Sequence, residues 1–391
     1  MYKVLFLASF FPAEREPLAG LFIKKHAQAA ARYADQYVLS VRLVADLDGG
    51  AFDLKVVKEN GLKIVKVRCK TVRSLIPKLS YIIDLVRYFR GSLLGYQRIL
   101  KIWGKPDIVH LNVSWPAGFL ALYLSIMKKI PYILSEHWSG YVAQTGSFKA
   151  IPVFVKRIIR LIFKRAKVVT AVSGYLSRSL VNHRLVRRNP RIVPNVVQIP
   201  EEPGRKTKPK RIIRALTVSL LHDESKNLSG LINAFKGISR KYPDVRLDIL
   251  GDGQDRDMLI NLARNLGLLN RRVFFQGYVP NDQLHEWFQK ANFFVLNSNY
   301  ETFSVATAEA IVHGVPVVLT RCGGPEEFVN EDVGILVDKK DIKDLTEGLI
   351  FMVNNWQKYD RLKLNNYIKR MMSPDIVGRR FLRIYEEVLK G

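Results

Sequence analysis

The sequence predicts an α/β fold of two domains, each built on a mostly parallel sheet. Strand and helix patterns alternate almost throughout the chain, which is typical of parallel α/β layers. A stretch dense in proline and basic residues, Arg191–Arg211, interrupts this alternation as a linker does. The alternation then restarts, and 391 residues are enough for two domains of about 100–200 residues each.

Each predicted strand is a short apolar run rich in β-branched residues. In the first half these runs are YKVLFLA, QYVLSVRLV, LKIVKVR, DIVHLN, PYILSEH and KVVTAVS. In the second half they are RALTVSL, VRLDILGDG, VFFQGYV, FFVLN, VPVVLT and GILVD. A final helix is predicted at roughly Asp375–Leu389, because apolar residues recur there at helical spacing.

Cysteine content and hydropathy limit the class of protein. Only Cys69 and Cys322 are present, so no disulfide framework is expected and a reducing compartment is favoured. No apolar run approaches the roughly 20 residues that cross a bilayer. The start, MYKVLFLASFFPAE, has a short apolar run and a single preceding lysine, so we interpret it as a buried strand rather than a signal peptide.

Positive charge is concentrated in the first half. Residues 1–200 hold 33 Lys and Arg against 10 Asp and Glu, a formal charge of +23, and the remainder carries +4. Two stretches, Lys78–Lys105 and Ile151–Lys167, interleave basic and apolar residues at helical spacing. Such helices bind anionic membrane surfaces, or they pack an apolar face into the core and leave a solvated basic face. The overall charge imbalance favours membrane contact.

Two glutamates eight positions apart mark the candidate site, in NYETFSVATAEAIVHGVPVVLT. The pattern predicts a strand at Phe293–Asn297, a helix at Phe303–His313 and a strand at Val315–Thr320. Ligands of parallel α/β sheets bind beyond the carboxyl ends of the strands. Glu301 is therefore expected in the ligand-facing loop, with Glu309 about two turns into the helix.

The amides of Thr302, Phe303 and Ser304 are expected to open this helix, where unpaired N–H groups attract phosphate. Each carboxylate can accept two hydroxyl hydrogens, which suits a ribose diol or a sugar. A phosphate flanked by sugars describes a nucleotide-sugar. The alternative is that Glu301 is a solvated loop residue and that Glu309 lies on the polar face of a helix.

Ordered motifs along the chain carry a resemblance. They are GLFIKKHAQAA, PDIVHLN, PYILSEH and TAVSGYL…VPNVV in the first half, and SLLHDESKNLSGLINAF, ILGDGQDRDML, VFFQGYVPNDQLHEWFQKANFFVLNSNYETF and HGVPVVLTRCGGPEE in the second. Together they resemble a family-4 retaining glycosyltransferase with the GT-B fold. The resemblance implies two Rossmann-like domains facing across a cleft. The N-terminal domain, 1–196, would bind the acceptor and the C-terminal domain, 197–374, the donor, while the helix 375–391 crosses back to the first domain.

The resemblance also implies site residues. Lys226 matches the lysine that neutralises the leaving diphosphate, and Glu301 and His137 match residues beside the reacting sugar; these three are the candidate catalytic residues. Glu309 matches the glutamate that holds the ribose. The remaining candidate donor contacts are Gly20, Ser219, Gly277, Tyr278, Val279, Thr302, Phe303 and Ser304. Taken alone, Lys226 is also compatible with a solvated loop lysine, and a histidine such as His137 or His110 with a structural role.

One departure from the family pattern concerns the diphosphate. The family places an arginine a few residues before the lysine, and here the stretch is Ser219-Leu220-Leu221. His222, a nearby basic side chain or a helix N-terminus is the candidate replacement. No DxD-type metal motif is evident, so we expect no obligatory metal and no cofactor besides the nucleotide-sugar substrate.

The resemblance predicts transfer of a sugar, with retention, to a glycan in cell-surface polysaccharide biosynthesis. The positive charge of the acceptor half favours a lipid-linked saccharide as that acceptor. We expect a cytoplasmic enzyme, peripheral at the inner face of the plasma membrane. A GT-B sugar-nucleotide epimerase or hydrolase is an alternative. A nucleic-acid-binding protein would explain the charge, but the basic stretches carry branched aliphatic residues rather than an aromatic stacking platform. The turn after the first strand has no G-x-G-x-x-G, which argues against a Rossmann dehydrogenase.

Overall fold

A computed structural model describes residues 1–13, 16, 19–47, 49–72, 77–200 and 212–391 of the chain, without the side chains of residues 77 and 78. Contacts divide the chain into two units. Unit 1 comprises Met1–Val196 and Pro374–Gly391, and unit 2 comprises Val197–Ser373. Part of the predicted linker, residues 201–211, lies outside the described residues.

Unit 1 is built on an eight-stranded sheet. Its strands are β1 Lys3–Ala8, β2 Asp35–Val44, β3 Phe52–Glu59, β4 Leu62–Lys70, β5 Ile108–Asn112, β6 Tyr132–Glu136, β7 Val168–Ala171 and β8 Arg191–Ile192. The spatial order is β3-β4-β2-β1-β5-β6-β7-β8, and every neighbouring pair is parallel except β3 and β4. The order reverses between β1 and β5, which makes their carboxyl ends the expected ligand edge.

The strand β3 was missed in the sequence prediction. It forms an antiparallel hairpin with β4, and residues Asn60 and Gly61 turn between them with positive φ angles of 48° and 78°. An Asn-Gly pair between two extended runs is a strong hairpin signal, because both residues tolerate positive φ. The burial pattern of β3 contains no fully buried residue, so its apolar periodicity is weak.

The helices of unit 1 cover both faces of this sheet. They are α1 Leu21–Ala31, α2 Pro77–Trp103, α3 Gly118–Met127, α4 Ser147–Ala150, α5 Val153–Arg165 and α6 Gly174–Asn182. The helix α5 buries Val155, Ile159 and Phe163, so most of its apolar face belongs to the core and its basic face is outward.

Unit 2 is built on a six-stranded parallel sheet. Its strands are β9 Ile213–Val218, β10 Val245–Leu250, β11 Val273–Gly277, β12 Phe293–Leu296, β13 Val317–Thr320 and β14 Gly334–Val337. Its helices are α7 Asp223–Lys226, α8 Leu228–Ser239, α9 Arg256–Asn265, α10 Leu284–Lys290, α11 Val305–Val312, α12 Ile342–Asn355 and α13 Arg361–Met372. The strand order β11-β10-β9-β12-β13-β14 is that of a doubly wound Rossmann-like sheet, with its reversal between β9 and β12.

The last helix, α14 Pro374–Lys390, returns to unit 1. Its residues Val377, Phe381 and Tyr385 are fully buried and share a core with Val4 and Ile108 of the sheet. The Tyr33 hydroxyl also donates to Asp375 at the start of this helix. The prediction of two Rossmann-like domains with a returning C-terminal helix is therefore confirmed.

Candidate functional site

The turn after β9 fixes the position of Lys226. The Lys226 amide donates to the His222 carbonyl at 3.0 Å, and Asn227 follows in the left-handed conformation at φ 46°. The Asn297 side-chain amide then donates to the Asn227 carbonyl at 2.8 Å. Because Asn297 directly follows β12, this contact ties the lysine turn to the point where the strand order reverses.

Lys226 and Glu301 form an ion pair at this edge. The Lys226 Nζ lies 2.5 Å from Glu301 Oε1, and the Ser298 hydroxyl donates to the same oxygen at 3.0 Å. Only 21% of the lysine side chain and 13% of the glutamate side chain are exposed. The ammonium has three N–H donors, so the pair leaves donors for a phosphate oxygen.

Backbone hydrogen bonds join the Glu301 loop to the glycine-containing loop after β13. The Glu301 amide donates to the Cys322 carbonyl at 2.8 Å, and the Gly324 amide donates to the Glu301 carbonyl at 2.9 Å. A Cβ on Gly324 would lie 2.0 Å from the Thr302 carbonyl oxygen. Gly324 is thus required for the loop after β13 to pack against the Glu301 loop.

The predicted helix at Phe303–His313 begins two residues late. The observed helix α11 starts at Val305, and Ser304 is its N-cap, with φ 63° and a side chain that accepts from the Thr307 amide at 3.4 Å. Phe303 is buried against Phe328, at 5.3 Å between ring centroids. The prediction that the amides of Thr302, Phe303 and Ser304 open the helix is wrong, because Ser304 is the N-cap and Phe303 packs in the preceding loop. That these three residues contact the donor stays a prediction.

Glu309 lies about one turn into α11, not two, because the helix begins later than predicted. The residue is buried, with 7% of its surface exposed. The His313 Nδ1 lies 2.6 Å from the Glu309 carbonyl oxygen, which closes the end of the helix. The role of Glu309 as a ribose ligand stays a prediction.

Ser219 lies at the carboxyl end of β9. Its amide donates to the Leu250 carbonyl at 3.0 Å, while its hydroxyl is buried and has no hydrogen-bond partner within the described part of the chain. A Cβ on Gly251 would meet the Ser219 carbonyl oxygen at 1.8 Å. The glycine of the G-D-G turn is therefore needed at this site, although the sequence analysis did not single it out.

Of the three residues predicted to contact the base, Gly277 is the last residue of β11, and Tyr278 and Val279 follow it. Gly277 has φ 72° and its carbonyl accepts from the Gly251 amide at 2.8 Å, so the ends of β10 and β11 are joined. Tyr278 is exposed and Val279 is half-buried. At the position of the absent family arginine, Leu220 is 63% exposed and offers no charge. His222, whose Nδ1 lies 3.0 Å from the Ser225 hydroxyl, remains a candidate replacement.

In unit 1, Gly20 precedes α1 with φ 69°. A Cβ there would lie 2.4 Å from the Phe10 carbonyl oxygen, so the chain's own packing already requires glycine. A donor contact is not needed to explain this residue, and its predicted role in phosphate binding stays a prediction.

His137 follows β6 and is buried. Its ring lies 4.9 Å from that of Phe22 and 5.1 Å from that of His26, and neither of its nitrogens makes a hydrogen bond of ordinary geometry to a described residue. Burial, followed by the neighbouring His26 and His110, holds the pKa of His137 well below its usual range. The imidazole is therefore neutral near pH 7.

Glu136 fixes the backbone beside His137, and the sequence analysis did not identify it. Its carboxylate is fully buried and accepts from the amides of Ser114, His137 and Trp138 at 3.1, 2.9 and 3.1 Å. Burial raises the pKa of Glu136, and these backbone N–H donors oppose the shift. The carboxylate thereby joins the loops after β5 and β6.

His110 lies deeper in unit 1. Its Nδ1 lies 2.6 Å from the Tyr385 hydroxyl and its Nε2 lies 2.7 Å from the Ser135 hydroxyl. Both nitrogens are thus used within the protein, which links the sheet to α14.

Among the described residues, no group of three His, Cys, Asp or Glu side chains could hold a metal ion, and none of the helices is long and apolar enough to cross a membrane. The absence of an obligatory metal and of a cofactor stays a prediction.

Two family models match the chain. Residues 24–199 match "Glycosyltransferase Family 4" and residues 198–369 match "Glycosyl transferases group 1". The chain belongs to the family-4 glycosyltransferases. The family resemblance inferred from the motifs is therefore confirmed.

Individual relatives of this family-4 glycosyltransferase are distant. It is 25% identical over 247 residues to alpha-monoglucosyldiacylglycerol synthase of Streptococcus pneumoniae, covering 59% of this chain and 55% of that protein. The chain spans between 33% and 66% of the length of the first five curated relatives.

Solved structures share the fold over the whole family-4 chain. Sucrose-phosphate synthase from Thermosynechococcus elongatus has a TM-score of 0.76 at 15% identity, with 100% of both chains covered. Anabaena HepE, solved with UDP-glucose, has a TM-score of 0.67 at 17% identity, with 99% of this chain and 100% of that chain covered. These likenesses confirm the predicted GT-B fold class.

Proposed function

We propose that this protein transfers a hexosyl group, with retention, from a nucleotide-sugar to a hydroxyl of a glycan or lipid-linked saccharide. The observation that carries the proposal is the Lys226–Glu301 ion pair at the strand-order reversal of unit 2. The Ser219 hydroxyl, directly after β9, has no hydrogen-bond partner among the described residues. A cation, a carboxylate and a hydroxyl at a ligand edge suit a sugar joined to a diphosphate.

The donor is expected to contact unit 2 along its ligand edge. The Lys226 ammonium neutralises the leaving diphosphate, Glu309 accepts from the ribose hydroxyls, and the Gly277–Val279 segment receives the base. The HepE structure with UDP-glucose supports a nucleotide-sugar as the class of donor.

The acceptor is expected on unit 1. As the donor's anomeric bond loosens, the acceptor hydroxyl attacks from the same face, and the departing diphosphate takes its proton. The protein then contributes charge stabilisation and positioning rather than a nucleophile. A neutral imidazole at His137 contributes hydrogen bonds to the reacting sugar without adding charge.

Unit 1 also presents an apolar patch with a basic border, which suits an anionic membrane. The rings of Tyr81 in α2 and Phe154 in α5 are in contact at 6.5 Å between centroids, and both are exposed. The patch, defined by its exposed residues, comprises Leu79, Tyr81, Ile82, Val86, Val153 and Phe154. Arg157, Arg160 and Lys164 are exposed on the same helix α5. Basic and apolar side chains together favour an anionic bilayer surface.

A membrane-bound saccharide acceptor explains why the acceptor half carries a charge of +23, which a small free sugar does not require. We therefore place the enzyme at the cytoplasmic face of the plasma membrane, in cell-surface polysaccharide biosynthesis. The name of the S. pneumoniae relative, alpha-monoglucosyldiacylglycerol synthase, supports an acceptor that contains a lipid.

The proposal is tested by measuring hydrolysis of a panel of UDP- and GDP-sugars by the purified full chain, with Lys226→Ala as the control. Release of nucleotide from one sugar class, lost in the variant, is the expected result. Equal background release by both proteins with every donor would contradict the proposed function. Product from one donor that keeps its nucleotide, such as an epimer, would favour the epimerase alternative.

A further inference from the structure

A pocket of about 470 Å³ lies in unit 1, outside the residues assigned above. Its walls include Ser40 and Arg42 from β2, Asp53 and Lys55 from β3, and Lys66 and Arg68 from β4. All six residues lie on one face of the sheet, because the paired residues of neighbouring strands point to the same side.

The strand register brings like charges together on this face. Lys55 is directly opposite Lys66 across the antiparallel β3–β4 pair, and Arg42 is paired with Arg68 across β2 and β4. Like charges directly opposite one another destabilise a sheet. Lysine on an edge strand such as β3 also discourages pairing with another sheet, but that role does not require a second lysine on the inner strand β4.

Two residues earlier along β2 and β4, the same face of the sheet is apolar. Val38 of β2 and Ile64 of β4 are paired and fully buried, in a core that includes Ile23 and Ala27 of α1. Beyond the start of α1, the next pair is Ser40 and Lys66. The sheet face thus changes from apolar to cationic where the helix stops covering it.

Among the described residues, the arginines of this pocket have close carboxylate partners and the lysines do not. Arg68 donates to Asp53 at 2.6 and 2.8 Å, and Arg42 donates to Glu16 at 3.0 Å. The one ion pair of Lys66 with a described residue is a distant contact, at 3.9 Å, with Glu59, whose other oxygen accepts from Lys24. Within the described part of the chain, Lys55 forms no ion pair within 4.0 Å.

Asp46 is a third carboxylate in the pocket wall, so four cations face three carboxylates among the residues of the wall that the structure describes. Two of those carboxylates are occupied by the arginines. The described residues of the wall therefore carry an excess of positive charge, on the two ammonium groups of Lys55 and Lys66.

We propose that this pocket binds an anionic group, a phosphate or carboxylate, through the ammonium groups of Lys55 and Lys66. Each ammonium supplies three donors and a compact charge, and the anion would relieve their mutual repulsion. In the context of the proposed function, on which this step rests, the anionic group belongs to the acceptor held by unit 1.

The test compares the Lys55→Gln/Lys66→Gln variant with a control that removes two charges elsewhere in unit 1, Lys58→Gln/Lys128→Gln. Lys58 lies on the opposite face of the same hairpin, and Lys128 is exposed at the end of α3. Both variants keep the candidate donor site, so phosphate bound there contributes equally to both. The apparent melting temperature is measured against inorganic phosphate, with sodium chloride at matched ionic strength.

At a phosphate concentration about ten times the dissociation constant, the melting temperature of the wild type and the control should rise by about 3 °C. The pocket variant should show less than half of this rise. It should also melt above the wild type in phosphate-free, low-salt buffer, since the opposed charges are gone; this result shows that it is folded. A pocket variant that responds to phosphate as the control does would overturn the proposal.

A second measurement identifies the source of the anion. The same variants are compared for binding of glycerol 3-phosphate and for co-sedimentation with vesicles of phosphatidylglycerol or phosphatidylcholine. A defect confined to glycerol 3-phosphate supports a small soluble anion, and one confined to phosphatidylglycerol vesicles supports a lipid headgroup. No defect with either would overturn the site. Absence of nucleotide-sugar turnover in the wild type would contradict the proposed function and leave the phosphate result unaffected.

Discussion

Lys226 Nζ lies 2.5 Å from Glu301 Oε1, although the two residues are 75 positions apart in the chain. The lysine follows β9 and the glutamate follows β12, and these strands are neighbours in the sheet of unit 2. The pair therefore depends on the strand order, and it holds both side chains at the ligand edge before any donor binds.

Replacing Lys226 or Glu309 by alanine should weaken donor binding or turnover at least tenfold, about 1.4 kcal/mol, because the diphosphate charge or the ribose loses its partner. Isothermal titration with the active nucleotide-sugar measures the loss. Lys236→Ala and Glu347→Ala, both exposed in unit 2, are the matched controls. Unchanged affinity and rate in both test variants would show that the donor binds elsewhere.

His137→Ala should lower the rate of transfer at least tenfold, with less effect on nucleotide affinity, because the predicted contact is with the reacting sugar on unit 1. Since burial holds the pKa of His137 well below its usual range, the rate should show no histidine titration between about pH 6 and 8. The comparison is of kcat and of nucleotide Kd. A variant with the wild-type kcat would show that His137 is not a catalytic residue.

Glu136→Leu should destabilise unit 1 by several kcal/mol, because three buried backbone N–H groups lose their acceptor at once. Glu136→Gln should cost less, since its amide oxygen still accepts from His137 and Trp138 while its NH₂ group faces the Ser114 amide. Urea denaturation gives the free energies of unfolding, with the exposed Glu286→Gln as control. Similar stability of Glu136→Leu and the control would show that these bonds contribute little.

The buried His26 should make unit 1 less stable in acid. Burial lowers the pKa of His26 to about 4, and its Nε2 lies 3.0 Å from the Pro194 carbonyl. The unfolded chain therefore binds more protons than the folded chain between about pH 6.5 and pH 4, and stability is lost as pH falls through this window.

The His26→Gln variant can still donate to Pro194 but does not titrate. The difference in melting temperature between wild type and variant should therefore change in the variant's favour as pH falls from 7 to 4.5. Taking the difference cancels the contribution of Glu136, which has a raised pKa and acts in the opposite direction. A difference that is constant with pH would mean that the pKa of His26 is the same in the folded and the unfolded chain.

Replacing Lys156, Arg157, Arg160, Lys164 and Arg165 by glutamine should reduce binding to anionic vesicles but not to neutral ones. Binding of the wild type should weaken with salt, because the Debye length falls from about 10 Å at 0.1 M to about 3 Å at 1 M. Co-sedimentation measures it. The control replaces five exposed basic residues of unit 2, namely Lys236, Arg240, Lys339, Lys340 and Lys343. Equal binding by both variants would exclude α5 as the dock, and no binding by the wild type would favour a soluble acceptor.

The sequence by itself determined the alternating α/β architecture, the family and the residue types at the candidate donor site, because apolar periodicity and turn chemistry are local properties of the chain. The sequence did not predict where α11 starts. Ser304 is its N-cap, and the preceding Phe303 packs against Phe328, which is distant in the chain. Tertiary structure alone decided that Lys226 meets Glu301, that Gly20 must leave room for the Phe10 carbonyl, and that Lys55 opposes Lys66. Each of these depends on which strands become neighbours and in which register, and side chains far apart in the chain meet only after the sheet has formed.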